Sequence, residues 1–121
     1  MKSCLIVDDS KIVRIMARRI VEDMNFAVDE AEDGQVSLDH CQRQMPDVIL
    51  LDRNMPVMNG IDFLRALRRS AYGDQPVVVL CTTENDIQQI HEAISAGANE
   101  YIMKPFDSEI VQTKFEQAGV V

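Results

Sequence analysis

Val48-Ile49-Leu50-Leu51-Asp52 decides the architecture: four apolar residues stand in a row and the run stops at a carboxylate. A strand with one wet face alternates apolar with polar. An unbroken apolar run of this length instead reads as a strand buried on both faces, the habit of a parallel sheet. Cys4-Leu5-Ile6-Val7 and Val77-Val78-Val79-Leu80-Cys81 have the same character, and Tyr101-Ile102-Met103 is a shorter version. Phe26-Ala27-Val28-Asp29-Glu30 is polar enough to predict an edge strand.

Between these runs the apolar period becomes helical. Val13, Met16, Ile20 and Met24 recur at helical spacing, as do Leu38, Cys41 and Met45, then Ile61, Leu64 and Leu67, then Ile87, Ile90 and Ile94, then Val111, Phe115 and Ala118. The punctuation agrees. Ser10 can cap the first helix, Asp33-Gly34 opens the second, and Asn59-Gly60 turns into the third. Tyr72-Gly73-Asp74-Gln75-Pro76 is a loop, Gly97 ends the fourth helix, and Asp107 or Ser108 can cap the fifth. The order is five repeats of strand then helix. Right-handed crossovers then place helices on both faces of one sheet, an α/β doubly wound parallel fold.

The 121 residues fit one domain, with no linker, repeat or low-complexity stretch to mark a second. A chain of this size buries roughly two-thirds of the surface its unfolded form exposes, so it needs no disulfide or structural metal. Twenty acids against twelve bases, a net charge of −8, argue against broad nucleic-acid binding, which depends on neutralising phosphates. No apolar run approaches the roughly 20 residues of a membrane helix, and the start does not read as a signal peptide. The expected compartment is the cytoplasm. Cys4, Cys41 and Cys81 are too widely spaced for a zinc site and odd in number, so they read as small buried apolar residues.

In a sheet of this kind, ligands bind outside the carboxyl ends of the strands, where strand order reverses. The first strand ends in Asp8-Asp9, the third in Asp52, the fourth in Thr82-Thr83 and the fifth in Lys104-Pro105. If the first and third strands are neighbours, three carboxylates share one crevice. Two carboxylates about 5 Å apart repel by roughly 3 kcal/mol at an effective dielectric near 20, so the cluster is no folding device. Hard oxygen ligands suit Mg²⁺, and Lys104 can offset part of the remaining charge. Metal, carboxylate and lysine together suggest phosphoryl transfer with a carboxylate nucleophile. Asp52 is the candidate nucleophile, Asp8 and Asp9 the metal ligands, and Thr82 a hydrogen-bond donor to the added group.

Leu5-Ile6-Val7-Asp8-Asp9-Ser10, Leu50-Leu51-Asp52-Arg53-Asn54-Met55-Pro56-Val57-Met58-Asn59-Gly60, Thr82 and Lys104-Pro105-Phe106 together resemble the receiver domains of two-component response regulators, in particular single-domain receivers of the chemotaxis type. The resemblance spans essentially the whole chain. It implies a flavodoxin-like (βα)5 receiver fold with strand order 2-1-3-4-5 over residues 1–121, with no output domain. It implies that Asp52 accepts a phosphoryl group from a sensor histidine kinase or a histidine phosphotransfer protein. Asp8, Asp9, Asp52 and the backbone carbonyl of Asn54 would hold Mg²⁺. Thr82 and Lys104 would contact the phosphoryl group, and Tyr101 matches the aromatic switch position. Asn54 and Glu84 occupy the positions that tune autodephosphorylation. The Lys104-Pro105 bond would be cis. Arg53 sits at a position that varies in the family and receives no role.

The implied function is a phosphorylation-controlled protein-binding switch: a cytoplasmic monomer, not an enzyme beyond its own phosphorylation and dephosphorylation. Its output partner would dock on the face of helix 4, strand 5 and helix 5, with Gln88, Glu92, Ser95, Tyr101 and Met103 as candidates. Neither nucleic acid nor membrane is an expected partner. Chemotaxis or motility is one pathway, and a phosphorelay shuttle or phosphate sink is another. A small Mg²⁺-dependent aspartyl-phosphate phosphatase is the enzymatic rival, but Asn54 stands where such enzymes carry a second acid. An FMN carrier is excluded because Asp8-Asp9 would repel the flavin phosphate. A P-loop NTPase is excluded by the missing glycine-rich motif. Lys11, Arg14 and Arg18 form a helical stripe that reads as a solvated face or as a docking surface for the phosphodonor. Arg65, Arg68 and Arg69 close the third helix, where positive charge suits the helix dipole. His40 and His91 read as surface residues.

Overall fold

Each apolar run becomes a strand and each strand is followed by a helix in the computed structural model, which describes residues 1–55, 57–83 and 87–121. The elements are β1 (Ser3–Val7), α1 (Lys11–Asp23), β2 (Ala27–Ala31), α2 (Gly34–Arg43), β3 (Val48–Asp52), α3 (Gly60–Arg69), β4 (Val77–Thr82), α4 (Ile87–Ala96), β5 (Glu100–Met103) and α5 (Ser108–Gln117). The five strands are parallel and lie in the order β2-β1-β3-β4-β5. β3 is buried along its whole length and β1 nearly so, whereas β2 at the edge is largely exposed.

Because successive strand residues point to opposite faces, the apolar runs divide into two cores. Leu5, Val7, Ile49, Leu51, Val78 and Leu80 pack with Phe63, Leu64 and Leu67 of α3 and Ala93 of α4. Cys4, Ile6, Val48, Leu50, Val79, Cys81 and Ile102 pack with Ala17 and Val21 of α1 and Val111 and Phe115 of α5. Each large aliphatic side chain fully buried this way contributes about 1.5–3 kcal/mol. The three cysteines are buried free thiols, as expected. Desolvation pushes Cys4 up to about 12 and Cys41 up to about 11, and raises Cys81 as well, so all three stay protonated and inert.

The caps fall where the sequence placed them. Ser10, Asp33, Asn59 and Asp107 accept from the backbone N–H groups of Val13, Val36, Asp62 and Ile110. Gly97 ends α4 with φ +114°. Gly60 is required for a different reason: a Cβ there would run into the backbone carbonyl of Asp52 and the Cα of Arg53, so the loop after β3 lies directly on the strand end. The Lys104–Pro105 bond is cis. Among the described residues, no helix is long and apolar enough to cross a membrane.

Three sequence expectations change. β2 begins at Ala27, one residue later than read, because Phe26 turns into the core and meets Phe115 edge to face at 5.6 Å. The basic stripe of α1 is not a free surface. Arg14 and Arg18 both pair with Glu30 of β2, and Arg18 adds Glu22 and the Val28 carbonyl, which leaves Lys11 alone exposed. Arg68 does more than complement a helix dipole. Its guanidinium donates to the carbonyls of Gly73, Pro76 and Gly97 and to the side chain of Asn99, tying α3 to the loops at the amino ends of β4 and β5.

Replacing Arg68 therefore strands several carbonyls in half-buried loops. Arg68→Ala is expected to lower unfolding free energy by about 2–3 kcal/mol, the scale for charged hydrogen bonds lost with their partners left unsatisfied. Arg68→Lys should recover less than half of that, because a point charge cannot span the fork of acceptors. Urea titrations of the three proteins test it. Equal midpoints for wild type and Arg68→Ala would show that the clamp adds nothing.

Candidate functional site

The sheet reverses its winding at β1, which has β2 on one side and β3 on the other. The crevice outside the carboxyl ends of β1 and β3 is thus the place where a ligand fits. Asp8 leaves the end of β1 and Asp52 is the last residue of β3. They are only 3% and 5% exposed, while Asp9 is open to solvent. One carboxylate oxygen from each of the three lies within 4.8 Å of the others. Lys104, one residue beyond β5, reaches across with its Nζ 2.8 Å from Asp8 Oδ2 and 3.0 Å from Asp52 Oδ1.

Asp8 is held on every side. Its Oδ1 accepts from the Ser10 N–H at 2.9 Å, its carbonyl accepts from Arg14 at 2.6 Å, and its N–H donates to the Ala31 carbonyl at 3.1 Å. Asp52 is held lightly. Among the described residues, its carboxylate accepts from Lys104 and, at a long 3.4 Å, from the Asn54 N–H, both on Oδ1. Oδ2 accepts none among the described residues and is left available to react. Burial raises the Asp52 pKa, and the neighbouring Asp8 charge adds to the rise, against the pull of Lys104. Burial acts to lower the Lys104 pKa, but its bonds to Asp8 and Asp52 outweigh burial and the net shift is upward. The crevice therefore holds one firm ammonium against three carboxylates. The surplus negative charge and the hard oxygen donors fit a divalent cation of the magnesium type.

The other predicted residues divide by face. Arg53 continues the alternation of β3 beyond Asp52 and so turns to the opposite side of the sheet. Thr82 ends β4 on that same side, 4% exposed, whereas Thr83 is exposed. Tyr101 aligns with Leu80 in β4 and shares that side. Arg53, Leu80, Thr82, Gln89, Ile90, Ala93 and Tyr101 line one small cavity beneath α4. The Lys114 ammonium stands 4.8 Å from the Tyr101 ring centre. Asn54 is exposed. Glu84 lies outside the described residues.

Sequence reading missed two participants. Arg14, which in the sequence reads only as part of a basic stripe, steadies the Asp8 carbonyl. Arg53, given no role, lies 3.5 Å from Glu92 of α4 and lines the cavity with Thr82 and Tyr101. The available signal for Arg53 was the period of two carried one residue past the strand. A separate groove of about 680 Å³, between the carboxyl ends of α2 and α3, is lined by Leu38, Cys41, Met45 and Tyr72 and lies at the other end of the sheet from the carboxylates.

Comparison with known proteins agrees with this geometry. The family model of the response regulator receiver domain matches residues 4–116. The chain is 37% identical over 114 residues to the chemotaxis protein CheY of Pseudomonas aeruginosa, covering 93% of this chain and 92% of that one. It is 36% identical over 108 residues to Protein CcdB of Bacillus subtilis, covering 88% of each. The solved structure of the Vibrio cholerae chemotaxis protein CheY4 superposes with a TM-score of 0.92 at 32% identity, over 98% of both chains.

The raised Asp52 pKa makes a stability prediction whose sign follows from linkage. The folded state favours the neutral carboxyl, so this group's stabilising contribution is complete below its unfolded value and is lost as pH rises through the folded value. Asp52→Asn removes the cost of the ionised form. Its melting temperature should nearly match wild type at about pH 3, below the unfolded carboxylate value, and exceed it increasingly toward neutrality. Melts in magnesium-free buffer at fixed ionic strength test this. An advantage that shrinks with rising pH would contradict the assigned direction.

Proposed function

The chain belongs to the response regulator receiver family, and from that premise we propose that it is a phosphorylation-controlled protein-binding switch with Asp52 as its phosphoryl acceptor. One observation carries the reading: Lys104 bridges Asp8 and Asp52 in a crevice where Asp9 completes a three-carboxylate cluster. No fold-stabilising purpose accounts for that crowding.

Asp8, Asp9 and Asp52, with the backbone carbonyl of Asn54, would hold Mg²⁺, which would supply charge neutralisation for the phosphoryl oxygens. Asp52 Oδ2 attacks phosphorus. The bond to a histidine nitrogen of a sensor kinase or phosphotransfer protein breaks, and its electron pair stays with that nitrogen. Lys104, already drawn to Asp52 Oδ1, binds an equatorial phosphoryl oxygen. The Thr82 hydroxyl, at the adjacent strand end, moves to donate to another. Its movement enlarges the cavity that Tyr101 borders, and the ring can turn inward. Asn54 and Glu84 set how readily water reverses the reaction.

Exposed apolar side chains fit docking by protein partners. Ile12 at the start of α1, Val57 in the loop after β3 and Ile87 at the start of α4 are 72%, 83% and 82% exposed, and each follows the carboxyl end of a strand. Val57 does so at φ +68°, a strained conformation for a β-branched residue. This rim suits the phosphodonor domain. The face of α4, β5 and α5 presents Gln88, Glu92 and Ser95 to solvent, with Tyr101 and Met103 half-buried, and suits the output partner. Similarity to chemotaxis proteins favours a motility pathway for this cytoplasmic, monomeric switch.

Acetyl phosphate with magnesium should add one phosphoryl mass, removable by hydroxylamine, and Asp52→Asn should abolish it. A mutant labelled at the wild-type rate would displace Asp52 from the role. Magnesium alone should raise the melting temperature, with about 2.7 kcal/mol of added stability at 100 times Kd. Unchanged melting would remove the metal from the reading. Thr82→Ala should still accept the phosphoryl group but lose most of the response at Tyr101, read from backbone amide NMR with and without beryllofluoride. An undiminished Tyr101 response would take the switch role from Thr82.

A further inference from the structure

Two potential acceptors for Arg53 lie within one turn of α4, and they differ in kind. Glu92 is charged and half-exposed, and its Oε1 lies 3.5 Å from the Arg53 guanidinium, which is itself mostly covered. Gln89, three residues earlier and therefore on the same face of the helix, lines the small cavity with Arg53, Thr82 and Tyr101. Its Oε1 is buried and has no hydrogen-bond partner among the described residues. Such an orphan acceptor is rare in folded proteins and calls for a reason. Arg53 is also the one described residue that borders both this cavity and the polar recess formed by Asn54, Asn59, Asp62, Arg65 and Glu92. Its backbone cannot move far: the N–H donates to the Cys81 carbonyl and the carbonyl accepts from the Gly60 N–H, both at 2.9 Å. Any rearrangement there therefore falls to the side chain.

We propose that Arg53 is the positioning residue that couples Asp52 to α4, paired with Glu92 in the unphosphorylated protein and shifting to the vacant Gln89 carbonyl when Asp52 is phosphorylated. The inference rests on the reading of Asp52 as acceptor. The physical cause is a change of charge one residue away. The phosphoryl group adds negative charge at the strand end, which draws the guanidinium inward from the rim, weakens its hold on Glu92 and brings it to a buried acceptor that lacks a donor. The exchange makes different contacts in the two states, which is what a ligand needs in order to shift an equilibrium. It also frees Glu92 on the face proposed for the output partner.

The test is beryllofluoride binding in magnesium, followed by amide and arginine side-chain NMR. Wild type should show the Arg53 Nε–H signal moving on saturation. Glu92→Gln weakens the resting contact and should tighten beryllofluoride binding by about threefold, the scale of a half-exposed ion pair. Gln89→Leu removes the second acceptor and should weaken binding by a similar factor. Arg53→Met should remove the difference between the other two substitutions when combined with each. Opposite signs for Glu92→Gln and Gln89→Leu support the exchange, because loss of packing alone would move both the same way. Equal affinities in all variants, or shifts of one sign, overturn it while leaving Asp52 as acceptor. A wild type that fails to bind beryllofluoride overturns both readings together.

Discussion

Lys104 is the contact on which the carboxyl edge of the sheet depends. Two carboxylates sit almost fully buried at the ends of adjacent strands, and a single ammonium from a third strand end lies within 3.0 Å of both. Without it, Asp8 and Asp52 would repel across a poorly hydrated crevice, and the ends of β1 and β3 would be pushed apart. With it, the site is held together yet remains short of positive charge. That residual deficit is the property a cation and a phosphoryl group can use.

The two buried carboxylates are supported unequally. Asp8 is enclosed by the Ser10 N–H, the Arg14 guanidinium and the edge strand β2, and Arg14 is itself braced by Glu30. Asp52 has Lys104, one long backbone bond and, among the described residues, an oxygen with no donor. The proposed metal ligand is thus fixed and the proposed nucleophile is loosely held. Metal geometry has to be preset, whereas the reacting oxygen must be free to change its bonding.

On the other side of the sheet, the same strand ends meet a different environment. Arg53, Thr82 and Tyr101 border a small cavity beneath α4, also lined by Gln89, whose amide oxygen has no partner among the described residues. The chemistry and the space for rearrangement are thus separated by one strand layer. They are joined through Asp52 and Arg53, consecutive at the end of β3, and through the side-by-side ends of β3 and β4. A fully satisfied, close-packed arrangement there would resist any signal from Asp52. An imperfectly filled one leaves room for the exchange proposed for Arg53.

The sequence by itself determined the strand–helix alternation, the caps, the buried thiols and the identity of the carboxylates, because each depends on local order. Short unbroken apolar runs bounded by turn signals read as doubly buried strands, and Ser10, Asp33, Asn59 and Asp107 reach backbone donors three residues away. The resemblance carried by the motifs added strand order and the site's roles. Only the tertiary structure decided which long side chains were spoken for. Arg14 and Arg18 lie in a stripe that reads as solvated until β2 brings Glu30 against them, and Arg68 reads as a dipole partner until two loops converge on it. Arg53 had no local signal except parity, and its partners are about forty residues away on α4. Flexible charged side chains take whichever acceptors the fold delivers, and that delivery is a property of register and crossover, which no local pattern contains.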